Sequence, residues 1–217
     1  MANGIDVSEW QGVIDWSRVR TDFVIIRAGY GRLASQEDKY FRANYEGCIA
    51  QNIPCGAYWF SYAESPDDAV AEARACMKVI GNRRFAYPVY YDIEEERTFS
   101  SGQTSEIITA FLDTLEKSGY FAGLYMSRNA LYKYTTEEIR RKYALWVADY
   151  SNEPENIGMW QKSSTGIIDG ITGSVDLDVS YQDYPEIIRR AGLNGFGRIH
   201  KISVIIDGEF VIKDYDF

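Results

Sequence analysis

Short apolar runs of β character recur along this chain with helical stretches between them, and that alternation leaves few folds open. Phe23-Val24-Ile25-Ile26-Arg27-Ala28 is nearly continuous in apolar side chains, as expected of a strand covered on both faces. Gly4–Ser8, Gly56–Phe60, Tyr87–Glu94, Phe121–Tyr125 and Ala144–Ala148 are further strand-like runs, followed by Ile157–Gln161 and Gly173–Leu177. Helix spacing appears from about Asp38 to Gln51, from Thr104 to Lys117, near Thr136 to Lys142 and over Tyr184 to Ala191. Ser65-Pro66 reads as a cap and first helical residue, with that helix running to Ile80 before Gly81. The reading is an α/β chain: an irregular (β/α) barrel of about eight strands, with fewer helices in its C-terminal half. An open doubly wound sheet is the alternative.

The tail differs in character. Ile202–Ile206 and Glu209–Ile212 flank Asp207-Gly208, a strong hairpin signal, after a joint containing Gly192, Gly195 and Gly197. The division expected is therefore a barrel over residues 1–192 and a hairpin extension over 193–217, the start of a further module. An isolated hairpin is marginal in water, so it should dock on the barrel or on a partner.

Tyr87-Pro88-Val89-Tyr90-Tyr91-Asp92-Ile93-Glu94 delivers two carboxylates two residues apart. In an extended chain Asp92 and Glu94 share a face and stand roughly 6.6 Å apart along the backbone. Two acids so placed cannot both ionise freely, and the more buried one keeps its proton to higher pH. A protonated acid beside an ionised one is the equipment of glycoside cleavage. A solvated acidic strand end, continued by Glu95 and Glu96, is the plainer reading of the same residues. Asp6 at the end of the first strand, Asp149 after the sixth and Asp176 at the end of the eighth add acids where α/β folds build their sites. If the barrel closes, Asp6 and Asp176 become neighbours.

Other chemistries are narrowed by what the chain lacks. It has one histidine, His200, so Ser-His-Asp, Cys-His and His-rich metal sites would all hang on one peripheral residue. Three cysteines (Cys48, Cys55 and Cys76) lack zinc-ribbon spacing and read as buried thiols. A net charge of −9 without a basic run argues against nucleic acid, and no apolar stretch reaches membrane-spanning length. The N-terminus carries no signal-peptide pattern. Gly29-Tyr30-Gly31-Arg32-Leu33-Ala34 matches a dinucleotide fingerprint, but no helix follows directly and no acid occurs from 48 to 63. Aromatics, 15% of the chain, suit a cleft that stacks on sugar rings and equally a plain core.

Taken in order, these pieces resemble family 25 glycoside hydrolases, the Chalaropsis-type lysozymes. The resemblance rests on Gly4-Ile5-Asp6-Val7-Ser8 with Gln11-Gly12 and Ile14-Asp15-Trp16, then Ile26–Gly29, Gly56–Phe60 and Pro88–Glu94. It continues through Gly123-Leu124-Tyr125, Leu145–Tyr150, Trp160-Gln161 and Val175–Asp178, covering residues 4 to about 181. It implies hydrolysis of the β-1,4 bond between N-acetylmuramic acid and N-acetylglucosamine in peptidoglycan, by a monomer without cofactor or metal, secreted or otherwise acting at the cell wall. Glu94 is then the general acid and Asp92 its partner, with Asp6 and Asp176 as further catalytic acids. Tyr58, Tyr91, Trp146, Asp149 and Trp160 shape the sugar sites. A non-catalytic glycan-binding module and a hydrolase of chitin-like polymers are the alternatives.

Overall fold

The computed structural model describes residues 1–197 and the strands 200–206 and 209–215. Eight strands close into a barrel in chain order: β1 (Ala2–Val7), β2 (Phe23–Tyr30), β3 (Cys55–Phe60), β4 (Val89–Asp92), β5 (Ala122–Ser127), β6 (Ala144–Ala148), β7 (Met159–Gly166) and β8 (Val175–Ser180). From β1 to β7 neighbours run parallel. β8 is antiparallel to both β7 and β1. The cause is local: residues 167–174 are too few for the crossover a parallel partner requires, so the chain turns back beside itself.

The helices are α1 (Phe41–Ala50), α2 (Pro66–Ile80), α3 (Glu96–Ser100), α4 (Thr104–Lys117), α5 (Arg128–Tyr134), α6 (Glu137–Lys142) and α7 (Tyr184–Ala191). Ser65 caps α2 by accepting from the Asp68 backbone N–H, with Pro66 at the first helical position. α3 and α5 were not expected from the sequence; at five and seven residues they are too short to show helical periodicity. No α-helix joins β1 to β2, β6 to β7 or β7 to β8.

Alternation along each strand divides the interior in two. Val89 and Tyr91 of β4 face outward into the layer shared with the helices, while Tyr90 and Asp92 face the barrel lumen. The lumen is packed with Phe23, Ile25, Tyr58, Tyr90, Tyr125, Trp146 and Met159. Gly123 makes room for this packing, since a Cβ there would lie 2.4 Å from the Tyr90 ring. Gly31 turns the chain after β2 at φ 66°, and the next α-helix begins only at Phe41. The Gly29–Ala34 run therefore opens into no helix, and the dinucleotide reading falls.

Packing on the barrel continues past residue 192. Asn194 is fully buried; its amide donates to the Phe85 and Tyr87 carbonyls, and its Oδ1 accepts from the Phe121 N–H. Leu193 and Phe196 pack on the lumen cluster. The segment expected to be a joint thus plugs the floor, because its side chains satisfy strand-end groups that would otherwise be orphaned. Beyond it, β9 (His200–Ile206) and β10 (Glu209–Tyr215) pair antiparallel, longer than the expected strands. The Asp207-Gly208 turn, and where the hairpin side chains dock, lie outside the described residues.

Candidate active site

A cleft of about 320 Å³ opens at the rim of the barrel, lined by residues toward the carboxyl ends of β1 to β6 together with Gln161 of β7 and Asp176 of β8. Asp6, Asp92, Glu94 and Asp176 all line it, as do Tyr58 and Trp146. A larger cavity, about 900 Å³, lies beside β1 and β8, but none of these four acids borders it.

Strand geometry explains the convergence. Past the end of β4 the ladder continues: the Ile93 N–H donates to the Tyr125 carbonyl and the Ser61 N–H to the Asp92 carbonyl. The chain is held between its neighbours to Ile93, and both Asp92 and Glu94 reach the same cleft. Asp6 pairs in register with Asp176. Asp176 is the second residue of β8, not its end as the sequence suggested; because β8 is antiparallel, its beginning reaches the same rim.

The acids differ in environment. Asp92 is 5% exposed, and burial followed by the charge of Glu94 raises its carboxyl well above the usual range, with Arg27 opposing. Glu94 reaches solvent at the cleft mouth; its carboxyl is raised by the surrounding protein, with the Tyr125 hydroxyl pulling it down and Glu95 pushing it up. The more buried partner is therefore Asp92. Asp6 is raised by burial and then by Asp178 and Asp176, against a 2.8 Å hydrogen bond donated by Gln161 Nε2 to its Oδ2. Gln161 Oε1 in turn accepts from the Tyr125 and Tyr150 hydroxyls, both at 2.8 Å. That double acceptance fixes which way the amide points, and hence the N–H aimed at Asp6.

A family model, "Glycosyl hydrolases family 25", matches residues 5–171, a span that carries three of the four acids. The chain belongs to that family. The uncharacterized protein YegX of Escherichia coli O157:H7 is 32% identical over 190 residues, covering 82% of this chain and 68% of its own length. The autolytic lysozyme of Clostridium acetobutylicum is 28% identical over 182 residues, covering 81% and 54%. Among solved structures, the modular autolysin LytC of Streptococcus pneumoniae superposes with a TM-score of 0.69 at 30% identity. That match covers 83% of this chain and 46% of LytC, so the family 25 chain spans less than half of that structure.

Not every expected site residue of this family 25 barrel reaches the cleft. Tyr91 points the other way: its ring stacks on Phe111 of α4 at 3.7 Å and its hydroxyl donates to buried Glu72 of α2 at 2.7 Å. Odd and even positions of β4 face opposite sides, so Tyr91 and Asp92 cannot both enter the lumen. Trp160 sits between lumen-facing Met159 and Gln161, and so lies on the outer face; its Nε1 donates to the Asp149 carbonyl at 2.7 Å. The Asp149 carboxylate is engaged in its own turn, accepting from the Ser151 and Asn152 N–H groups and pairing with Arg128. Those backbone donors hold it below its ordinary pKa, and it does not border the cleft. Tyr58 and Trp146 do line it, although Trp146, 1% exposed, belongs to the floor.

The sequence reading missed Gln161, Tyr125, Tyr150 and Asp178. Strand parity could have found three of them: Asp178 is two residues from Asp176, and Gln161 and Tyr125 fall on inward positions of their strands.

Half-buried Asp176 and buried Asp178 make stability depend on pH. Burial pushes Asp176 up to about 6 and Asp178 up to about 8, from an ordinary value of 3.8. Both bind a proton more tightly folded than unfolded, so their contribution is whole below the unfolded pKa and is lost as pH rises through about 6 and about 8. The melting temperature is expected to fall between pH 5 and pH 9 in differential scanning fluorimetry. A flat or rising profile over that window would contradict the assignment.

Proposed function

We propose that this family 25 chain is a lysozyme-type muramidase, cleaving the β-1,4 bond between N-acetylmuramic acid and N-acetylglucosamine in bacterial peptidoglycan. The observation that carries the reading is Glu94: an acid with a raised pKa, open to solvent at the mouth of a cleft that the deeper Asp92, Asp6 and Asp176 also line. In this reading Glu94 protonates the leaving glycosidic oxygen as positive charge develops at the sugar carbon. Asp6 and Asp176, on adjacent strands, supply negative potential toward that charge. Asp92, deeper in the wall, orients the substrate's N-acetyl group for attack on the anomeric carbon.

The relatives support the same substrate class, since one is named an autolytic lysozyme and LytC was solved with a synthetic peptidoglycan ligand. The protein acts as a monomer at the cell wall, with no metal or cofactor in the step. The test is a digest of purified peptidoglycan, reduced with borohydride and resolved by mass spectrometry. Reduced muramic acid at the new chain ends is the expected product. Reduced glucosamine ends, efficient cleavage of chitooligosaccharides, or binding without new reducing ends would overturn the reading.

A further inference from the structure

Trp10 lines the cleft and is 80% exposed. A single exposed apolar side chain is ordinary on a protein surface. What sets Trp10 apart is how firmly its backbone is held. It is the middle residue of one 3₁₀ turn, Glu9–Gln11, closed by a capping box. Ser8 Oγ accepts from the Trp10 N–H at 3.3 Å, and Gln11 Oε1 accepts from the Ser8 N–H at 2.9 Å. Gln11 Nε2 also donates to the carbonyl of Ser174, just before β8. On the other side, buried Asp38 Oδ2 accepts from the Glu9 N–H at 2.9 Å and from Arg27 Nε at 2.7 Å. Arg27 Nη2 completes the triangle by donating to Glu9 Oε1 at 2.6 Å. A buried ion pair is a weak source of stability, but these hydrogen bonds fix the turn against β2 and the chain before α1. Among the described residues, Trp10 and Tyr150 are the large apolar side chains that are exposed and also line the cleft. The Tyr150 hydroxyl is committed to Gln161, whereas the Trp10 indole presents a broad apolar surface to the cleft and to solvent.

We propose that Trp10 is the stacking platform of a sugar subsite in this cleft, its indole packing against a pyranose ring of the glycan. The C–H face of a pyranose matches such a surface, because apolar area is covered on both partners while the sugar hydroxyls stay in water. The turn is fixed before the sugar arrives, so little backbone freedom is lost on binding. Trp10 thereby takes the part that the sequence reading gave to Tyr91 and Trp160, whose rings lie elsewhere. The inference rests on a glycan being the substrate, as proposed above, but binding can be read apart from cleavage.

The experiment measures binding of peptide-free strands of alternating N-acetylglucosamine and N-acetylmuramic acid in a Glu94→Gln background, which keeps the glycan intact. Trp16, Trp59 and Trp146 are buried and Trp160 is half-buried, so Trp10 dominates the fluorescence open to acrylamide quenching. Saturating glycan is expected to lower the quenching constant by about twofold, the shielding that covering an exposed indole gives, and Trp10→Phe should abolish that change. By calorimetry, Trp10→Ala should weaken Kd about tenfold, the scale on which a tryptophan contact is lost, while Trp10→Phe stays within about threefold. With Glu94 restored, Trp10→Ala should raise KM about tenfold and leave kcat within about threefold, since stacking is made before the bond breaks. The side chain is exposed, so the melting temperature of both Trp10 variants should match the parent. Glycan binding that leaves the quenching unchanged overturns the proposal, as does a Kd for Trp10→Ala equal to that of the parent, or no binding at all. Cleavage of peptidoglycan by a Trp10→Ala variant with unaltered KM would remove the platform and leave the muramidase reading standing. Binding in the expected order, with no muropeptide released by the unaltered chain, would remove the muramidase reading and leave the platform in place.

Discussion

Replacing Glu94 by Gln is expected to lower kcat on peptidoglycan by about 10²- to 10⁴-fold, the range associated with loss of a positioned general acid. The amide preserves size and hydrogen-bonding shape but carries no transferable proton. KM should change little, because the lost interaction is made as the glycosidic bond breaks. Glu94 is exposed at the cleft mouth, with no packing role to disturb, so circular dichroism and melting temperature should match the parent. Release of soluble muropeptides, followed over time with purified walls, is the measurement. Turnover within tenfold of the parent would remove Glu94 from the acid's role.

The largest effect on stability is expected at Trp146. Its ring lies against Tyr58, Tyr90 and Tyr125, at centroid distances of 6.0, 5.2 and 4.4 Å. It is 1% exposed, and it supplies the N–H received by Asp178 Oδ1. Trp146→Ala opens a cavity in the lumen and strands a buried oxygen; the two together should cost about 4 kcal/mol. Trp146→Phe retains much of the ring packing and loses chiefly the hydrogen bond, so a cost of about 1–2 kcal/mol is expected. Urea midpoints at constant m-value report both numbers. A loss below about 1.5 kcal/mol for the alanine variant would mean that the lumen repacks around the gap.

How far the sequence announced this site can be judged residue by residue. Asp6, Asp92, Glu94 and Asp176 were legible because strand ends are where chain direction and side-chain direction are both set. Even so, the closing strand's direction was not legible. Nothing in Val175-Asp176-Leu177 distinguishes the end of a parallel strand from the start of an antiparallel one; the short link before it carries that information. Tyr91 and Trp160 misled for a simpler reason. Aromatic side chains suit a sugar cleft and a helix-to-barrel interface equally, and only their parity against Asp92 and Gln161 separates the two. Asn194 was hidden by its glycine neighbours, since a chain that turns tightly to plug a floor has the composition of a hinge.

The pairing of β1 with β8 has a consequence in time. Ala2 meets Ser180 and Asp6 meets Asp176, so the first strand has neighbours on both sides only after the last barrel strand has been made. Contacts of such sequence separation form late and slow the search for the native state. On the ribosome, a nascent chain carrying Asp92 and Glu94 would still lack Asp176, and Asp6 would lie on an open edge. The four cleft acids would become a set in a single closing event, once β8 has been made, and until then the chain would carry only part of the site.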